Sequence, residues 1–247
     1  MKKIIIFLFT LVFIYSFTPQ DAPNTFTDSR DGKVYKTVTI GEQVWMAENL
    51  AYLPSLVGPA TGSEAEGHGS DPYYYVYGYD GTNVTNAKKT ANYQTYGVLY
   101  NWPAAMNGAE SSDANPSGIQ GICPDGWHLP SESEWTQLEI YLGISQEDAD
   151  YDQWIESDVA DKLKETGTSH WDSKNKAATN ESGFTALPGG YRELDGTFNY
   201  IGSGGNWWSS KQYDTDKAWG HNLYGISYLR RFCFDKNFGF SVRCLRD

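Results

Sequence analysis

Apolar and polar positions alternate over residues 35–46, shift to three-and-four spacing over 131–142, and alternate again from about residue 184 onward. Alternation puts one side of a strand in a core, whereas three-and-four spacing draws a stripe down a helix. Residues 35–40 read as a strand with Val38 and Ile40 on one face. Gly41-Glu42 is a two-residue turn, and residues 43–46 return with Trp45. In residues 121–143, Pro124-Asp125-Gly126 is a turn, and Trp127 and Leu129 alternate about His128 in a short strand. Pro130 stops that strand, because it cannot donate to a ladder. Ser131 with Glu134 forms a capping box, Trp135, Leu138 and Leu142 make the stripe, and Gly143 ends the helix. A short helix is predicted over 101–106, with Pro103 tolerated in its first turn. Another runs over 158–165, capped by Ser157, with Val159 and Leu163 inward and Gly167 beyond its end.

Strand signals dominate the last quarter. They fall at 184–187, on both sides of the Asp195-Gly196 turn, at 219–224 and at 228–234, with a final strand at 238–244. Residues 73–79 are a tyrosine-rich run that reads either as a stacking platform for sugars or as a strand covered on both faces.

Composition adds a compartment. Lys2 and Lys3 precede an apolar run over 4–15, which is too short for a comfortable membrane span. Residues 1–18 are expected to be a signal peptide, with an uncleaved N-terminal anchor as the alternative, 19–33 a short mobile lead-in, and 34–247 one globular domain. Without the signal the chain holds 17 basic and 31 acidic residues, a net charge of −14. That balance argues against nucleic acid and anionic membrane surfaces as partners. Nine Trp, 18 Tyr and 25 Gly suit an exported, loop-rich domain.

Six runs occur in a familiar order: KTVTIGEQVWMAENL (36–50), YGVLYNWPAAM (96–106), CPDGWHLPSESEW (123–135), GFTALPGGYRELDGTF (183–198), NWWSS (206–210) and GFSVRCLRD (239–247). In this the chain resembles the Fibrobacter succinogenes major paralogous domain, found in exported proteins of Fibrobacter and Bacteroidetes. The resemblance implies an α+β, C-type-lectin-like fold with two or three short helices, small antiparallel sheets and long structured loops, shared with the formylglycine-generating, sulfatase-modifying enzymes. GWHLPSESEW is similar to the RLPTEAEWE run of those enzymes, and GFSVRC to their closing GFRC. It implies no established activity. The chain lacks the cysteine pair that many relatives carry before the YG-x-LY run, the close reactive cysteine pair of the sulfatase-modifying enzymes, and the sugar-binding tripeptides of C-type lectins.

Candidate chemistry is correspondingly sparse. Cys123–Cys244 is the expected disulfide, with Cys233–Cys244 and no bridge as the alternatives. Cys233 between two phenylalanines reads as a buried inert thiol. His68, His128, His170 and His221 are scattered, with no pair at metal-ligand spacing, and His128 is expected to be a partner within the central turn. Asp148, Asp150 and Asp152 open like a calcium loop, but Gln153 and Val159 replace its glycine and closing glutamate. No cofactor is expected, and calcium has no motif behind it. Trp207 and Trp208 are adjacent in a predicted strand, so one of them is a candidate sugar-stacking face, together with Tyr224. The reading is an exported, non-catalytic binding or adhesion module for extracellular polysaccharide or surface glycoprotein. The alternatives are a structural cell-surface assembly component and an enzyme related to the sulfatase-modifying class.

Overall fold

A computed structural model of the chain describes residues 24–63, 71–150, 154–172, 175, 177–225 and 227–247. The expected signal peptide, His68 and Asp152 lie outside the described residues. In chain order the elements are β1 (Thr25–Thr27), β2 (Val34–Ile40), β3 (Gln43–Met46), β4 (Tyr74–Tyr75), α1 (Val84–Ala87), α2 (Ala91–Tyr96), β5 (Leu99–Tyr100), α3 (Trp102–Met106), β6 (Trp127–His128), α4 (Glu132–Leu142), α5 (Gln146–Ala149), β7 (Trp154–Glu156), α6 (Asp158–Leu163), β8 (Gly189–Arg192), β9 (Phe198–Ile201), β10 (Gly204–Gln212), β11 (Lys217–Tyr224), β12 (Tyr228–Asp235) and β13 (Leu245–Arg246). The chain is α+β, with short helices and small antiparallel sheets. No described helix is long and apolar enough to cross a membrane.

One sheet has the order β1-β2-β3-β13-β6 and another β10-β11-β12-β7; β4-β5 and β8-β9 are two-stranded. The β2–β3 hairpin turns at Gly41, whose φ of +62° suits glycine. A Cβ there would also meet the Tyr141 ring at 2.9 Å. The α4 helix starts as its sequence dictates. Ser131 Oγ accepts from Glu134 N, and Glu134 Oε2 accepts from Ser131 N, closing the capping box. The second carboxylate oxygen, Oε1, lies 2.8 Å from His128 Nε2, and Asp247 Oδ1 lies 2.7 Å from its Nδ1, so the partners of His128 are in α4 and beyond β13 and not in the turn itself.

The β10–β12 strands form a wall between two cores. Trp208 and Ala218 belong to the core on one side, with the half-buried Phe234 packed against it. Trp207, Leu223 and Leu229 belong to the core on the other, with Trp45, Trp135 and Phe184. Position parity decides the side, because successive strand residues point to opposite faces. The disulfide is Cys123–Cys244, which ties the turn before β6 to the residue before β13. Cys233 is free and half-buried.

Four expectations need correction. Residues 24–33 are built into the fold instead of forming a lead-in. β1 pairs with β2, Phe26 packs on Trp127, and Asp28 is fully buried against Arg30, which donates to the Ile122 carbonyl. Residues 184–187 make only a single bridge, Ala186 to Lys164. Residues 238–244 are a seam, not a ladder strand. Their backbone bonds go in turn to Arg192, Tyr100, Asn206, Trp208, Leu50 and Met46, so no single neighbour is followed long enough to form one. The helical segments also outnumber the expected two or three. Four- to six-residue turns capped by Asn83, Thr90 and Ser145 add to the predicted set.

Candidate functional site

The motif residues converge on buried nodes. Arg243 is fully buried and stacks on Phe184, with its Cζ 4.1 Å from the ring centroid. Its guanidinium donates to Asn49 Oδ1 and to the carbonyls of Phe184 and Thr185. Trp207 Nε1 donates to the same Asn49 oxygen, at 2.9 Å. Burial lowers the Arg243 pKa to about 9, against a raising influence from Glu48. Arg192 is likewise buried, donating to the carbonyls of Pro59, Thr61, Gly62 and Asn237. These residues hold loops together and offer no surface to a ligand.

A second buried node lies between α4 and the β-wall. His221 Nδ1 is 2.9 Å from Glu139 Oε1, and its Nε2 is 3.2 Å from Glu132 Oε1. Arg231 Nε stands 3.8 Å from Glu132 Oε2, an ion pair without a hydrogen bond. Burial opposes the imidazolium, but the two carboxylates outweigh it and raise the His221 pKa to about 9. The exposed aromatic cleft lies elsewhere.

That cleft forms where the β11–β12 hairpin closes beside β7 and β9. Tyr224 and Tyr228 face each other across the ladder, and Trp154 pairs with Arg230 two residues along. Trp154, Tyr200, Tyr224 and Tyr228 line a cleft of about 600 Å³, with Asp172, Ser203 and Gly225. The Trp154 ring meets Tyr224 edge-on at 4.8 Å, and Tyr200 meets Tyr224 at 5.5 Å. Trp154 remains 43 % exposed and Tyr200 50 %. Tyr200 sits at φ +64°, a left-handed conformation that a β-substituted residue adopts at a cost of about 1–2 kcal/mol. Its ring stacks on Tyr191, at 5.5 Å and 16° between planes.

The floor is firm. Lys164 is fully buried and donates from Nζ to the Tyr224 carbonyl at 3.2 Å, while pairing with Asp161 Oδ1 at 3.0 Å. Burial lowers its pKa despite the Asp161 carboxylate. Burial, with Tyr200 beside it, pushes the Tyr224 phenol up to about 12, so it stays a neutral donor at ordinary pH. The cleft therefore offers flat apolar rings, hydroxyl donors and acceptors, and one carboxylate.

The sequence-predicted site residues divide here. Tyr224 is in the cleft. Trp207 and Trp208 are only 1 % and 0 % exposed, so neither is a stacking face for a ligand. They do point to opposite faces, but both faces of β10 are covered, one by each core. In the tyrosine-rich run, Tyr74 and Tyr75 are buried in a two-residue strand. Asp148 and Asp150 belong to the α5 turn and its cap, and the Asp150 carbonyl accepts from Arg231. Among the described residues no group of three His, Cys, Asp or Glu side chains is placed to hold a metal. Sequence reading missed Trp154, Tyr200 and Tyr228. For Tyr228 a signal existed: alternation in β12 sets it opposite the buried Leu229.

Comparison with curated proteins and with solved structures gave no match. A model of the Fibrobacter succinogenes major domain matches residues 38–246, and the chain belongs to that family.

Proposed function

We propose that this protein is an exported, non-catalytic binding module, and that the Trp154–Tyr200–Tyr224–Tyr228 cleft holds an extracellular glycan. The observation that carries the reading is the cleft itself: four aromatic side chains, two of them widely exposed, around an open space edged by hydroxyls and Asp172. Sugar recognition needs a flat apolar face beside polar groups, and the volume falls in the usual range for small-molecule sites. The left-handed Tyr200 adds support, since backbone strain gathers at functional positions. Export is supported by the apolar run after Lys2-Lys3 and by the Cys123–Cys244 bridge, which suits an oxidising compartment. A C-type-lectin-like architecture is part of the same reading. It is supported by β1–β3 and β13 sharing one sheet while long loops and a second sheet fill the span between them.

The test is binding of residues 19–247 to a broad glycan and polysaccharide array, with calcium and with chelator. Capture of a glycan that is weakened about tenfold in Tyr200→Ala is the expected result. Absence of capture under both conditions, or capture indifferent to Tyr200→Ala, defeats the cleft reading.

A further inference from the structure

The cleft does not end at Tyr228. On β12 the even-numbered residues Tyr228, Arg230, Phe232 and Phe234 share one face, opposite the face that carries Leu229 and Arg231 to the second core and to α4. All four are half-buried. Tyr228 meets Trp154 at 6.3 Å, and from Trp154 onward the planar groups follow one another. Arg230 Cζ lies 5.2 Å from the Trp154 centroid and 3.6 Å from that of Phe232, and Phe232 meets Phe234 at 5.4 Å. Trp154 is common to the cleft and to this row. At about 3.4 Å per residue, the row from Tyr228 to Phe232 spans roughly 14 Å, and Phe234 beyond it packs against the first core. Phe232 belongs to neither core, nor to the side chains packed against them.

We propose that the cleft's ligand is a neutral polysaccharide bound along its length, lying across Trp154 and along the Tyr228–Arg230–Phe232 face of β12. This rests on the glycan reading of the cleft. Continuity of the rings through Trp154 argues for one occupant on both surfaces. A sugar chain presents apolar ring faces and hydroxyls in alternation, which matches rings interrupted by a guanidinium donor. Charge selects a neutral polymer. The chain carries a net charge of −12, which repels polyanions, and Glu156 stands opposite Tyr228 on the neighbouring strand.

The experiment is calorimetric titration with a disaccharide, a tetrasaccharide and a hexasaccharide of β-1,4-glucan, mannan and xylan, alongside polygalacturonate as the acidic polymer. Affinity for one neutral series is expected to rise at least about tenfold from disaccharide to hexasaccharide. In Phe232→Ala, and in Arg230→Lys, which keeps charge but loses the planar stack, that ratio is expected to fall about tenfold. Near-ultraviolet circular dichroism checks that both variants fold. A length-independent affinity, or a ratio untouched in both variants, overturns the extended surface and leaves the cleft standing. Binding of polygalacturonate alone overturns the neutral assignment. No binding of any series or polymer, with the array also blank, defeats the cleft reading and this inference together.

Discussion

The imidazole of His221 lies flat against the indole of Trp135, with ring centroids 4.7 Å apart and 17° between the planes. Glu132 and Glu139, from the same helix as Trp135, hold its two nitrogens. The helix and the β-wall are thus joined by a buried charge cluster beside the aromatic core.

This contact makes stability depend on pH. Folding raises the His221 pKa from 6.5 to about 9, so the folded state holds the proton more tightly. The contribution is complete below pH 6.5 and is lost as pH climbs through about 9. A shift of that size corresponds to a few kcal/mol at most. Urea titrations of wild type and His221→Gln between these limits check it. The stability gap between the two proteins is expected to shrink as pH rises; a constant gap refutes the coupling.

The two tryptophans of β10 separate scaffold from site. Trp208→Ala removes a fully buried ring and a 2.7 Å hydrogen bond to the Tyr100 carbonyl. A loss of about 3–5 kcal/mol is expected. Tyr200→Ala removes a half-exposed ring and is expected to stay within about 1 kcal/mol of wild type. Thermal melts of the two variants, read beside glycan binding, distinguish the roles.

Cys123 and Cys244 close 121 residues of chain. The double serine variant is expected to lose about 2–5 kcal/mol, seen as a lower denaturation midpoint. Wild type under reducing conditions should approach the same midpoint.

Arg243 tests the motif node. Arg243→Met leaves the Phe184 and Thr185 carbonyls without their donor. About 1–3 kcal/mol of destabilisation is expected. Arg243→Lys is expected to recover little of it, because a lysine lacks the planar fork and the face that stacks on Phe184. Equal stability of lysine variant and wild type would show that charge alone matters there.

Local chemistry was legible in the sequence wherever it closes over a few residues. The Ser131–Glu134 capping box, the Gly41-Glu42 hairpin and the Asn101-capped helix all form where their residues predict. Position parity also told that Trp207 and Trp208 diverge. It did not tell that both destinations are buried, because burial depends on what the rest of the chain lays over each face. The seam at 238–244 was misread for a related reason: alternation marks extended backbone but not whether one neighbour or six supply its bonds. Trp154, Tyr200, Tyr224 and Tyr228 come from three separate segments, and none lies in the six runs that mark the family. Those runs build nodes such as Asn49–Trp207–Arg243, whereas the cleft opens between them.

Leu245 pairs with Trp45 on one side and His128 on the other, so β13 fills the gap between β3 and β6. A chain that emerges stepwise, from a ribosome or through an export channel, cannot complete this sheet until residue 245 is out. The partner for Cys123 arrives only one residue earlier. Early segments must therefore wait with β3 and β6 unjoined. Closure couples contacts about 200 residues apart, and such non-local pairing is slow. Final locking of this sheet thus waits on delivery of β13.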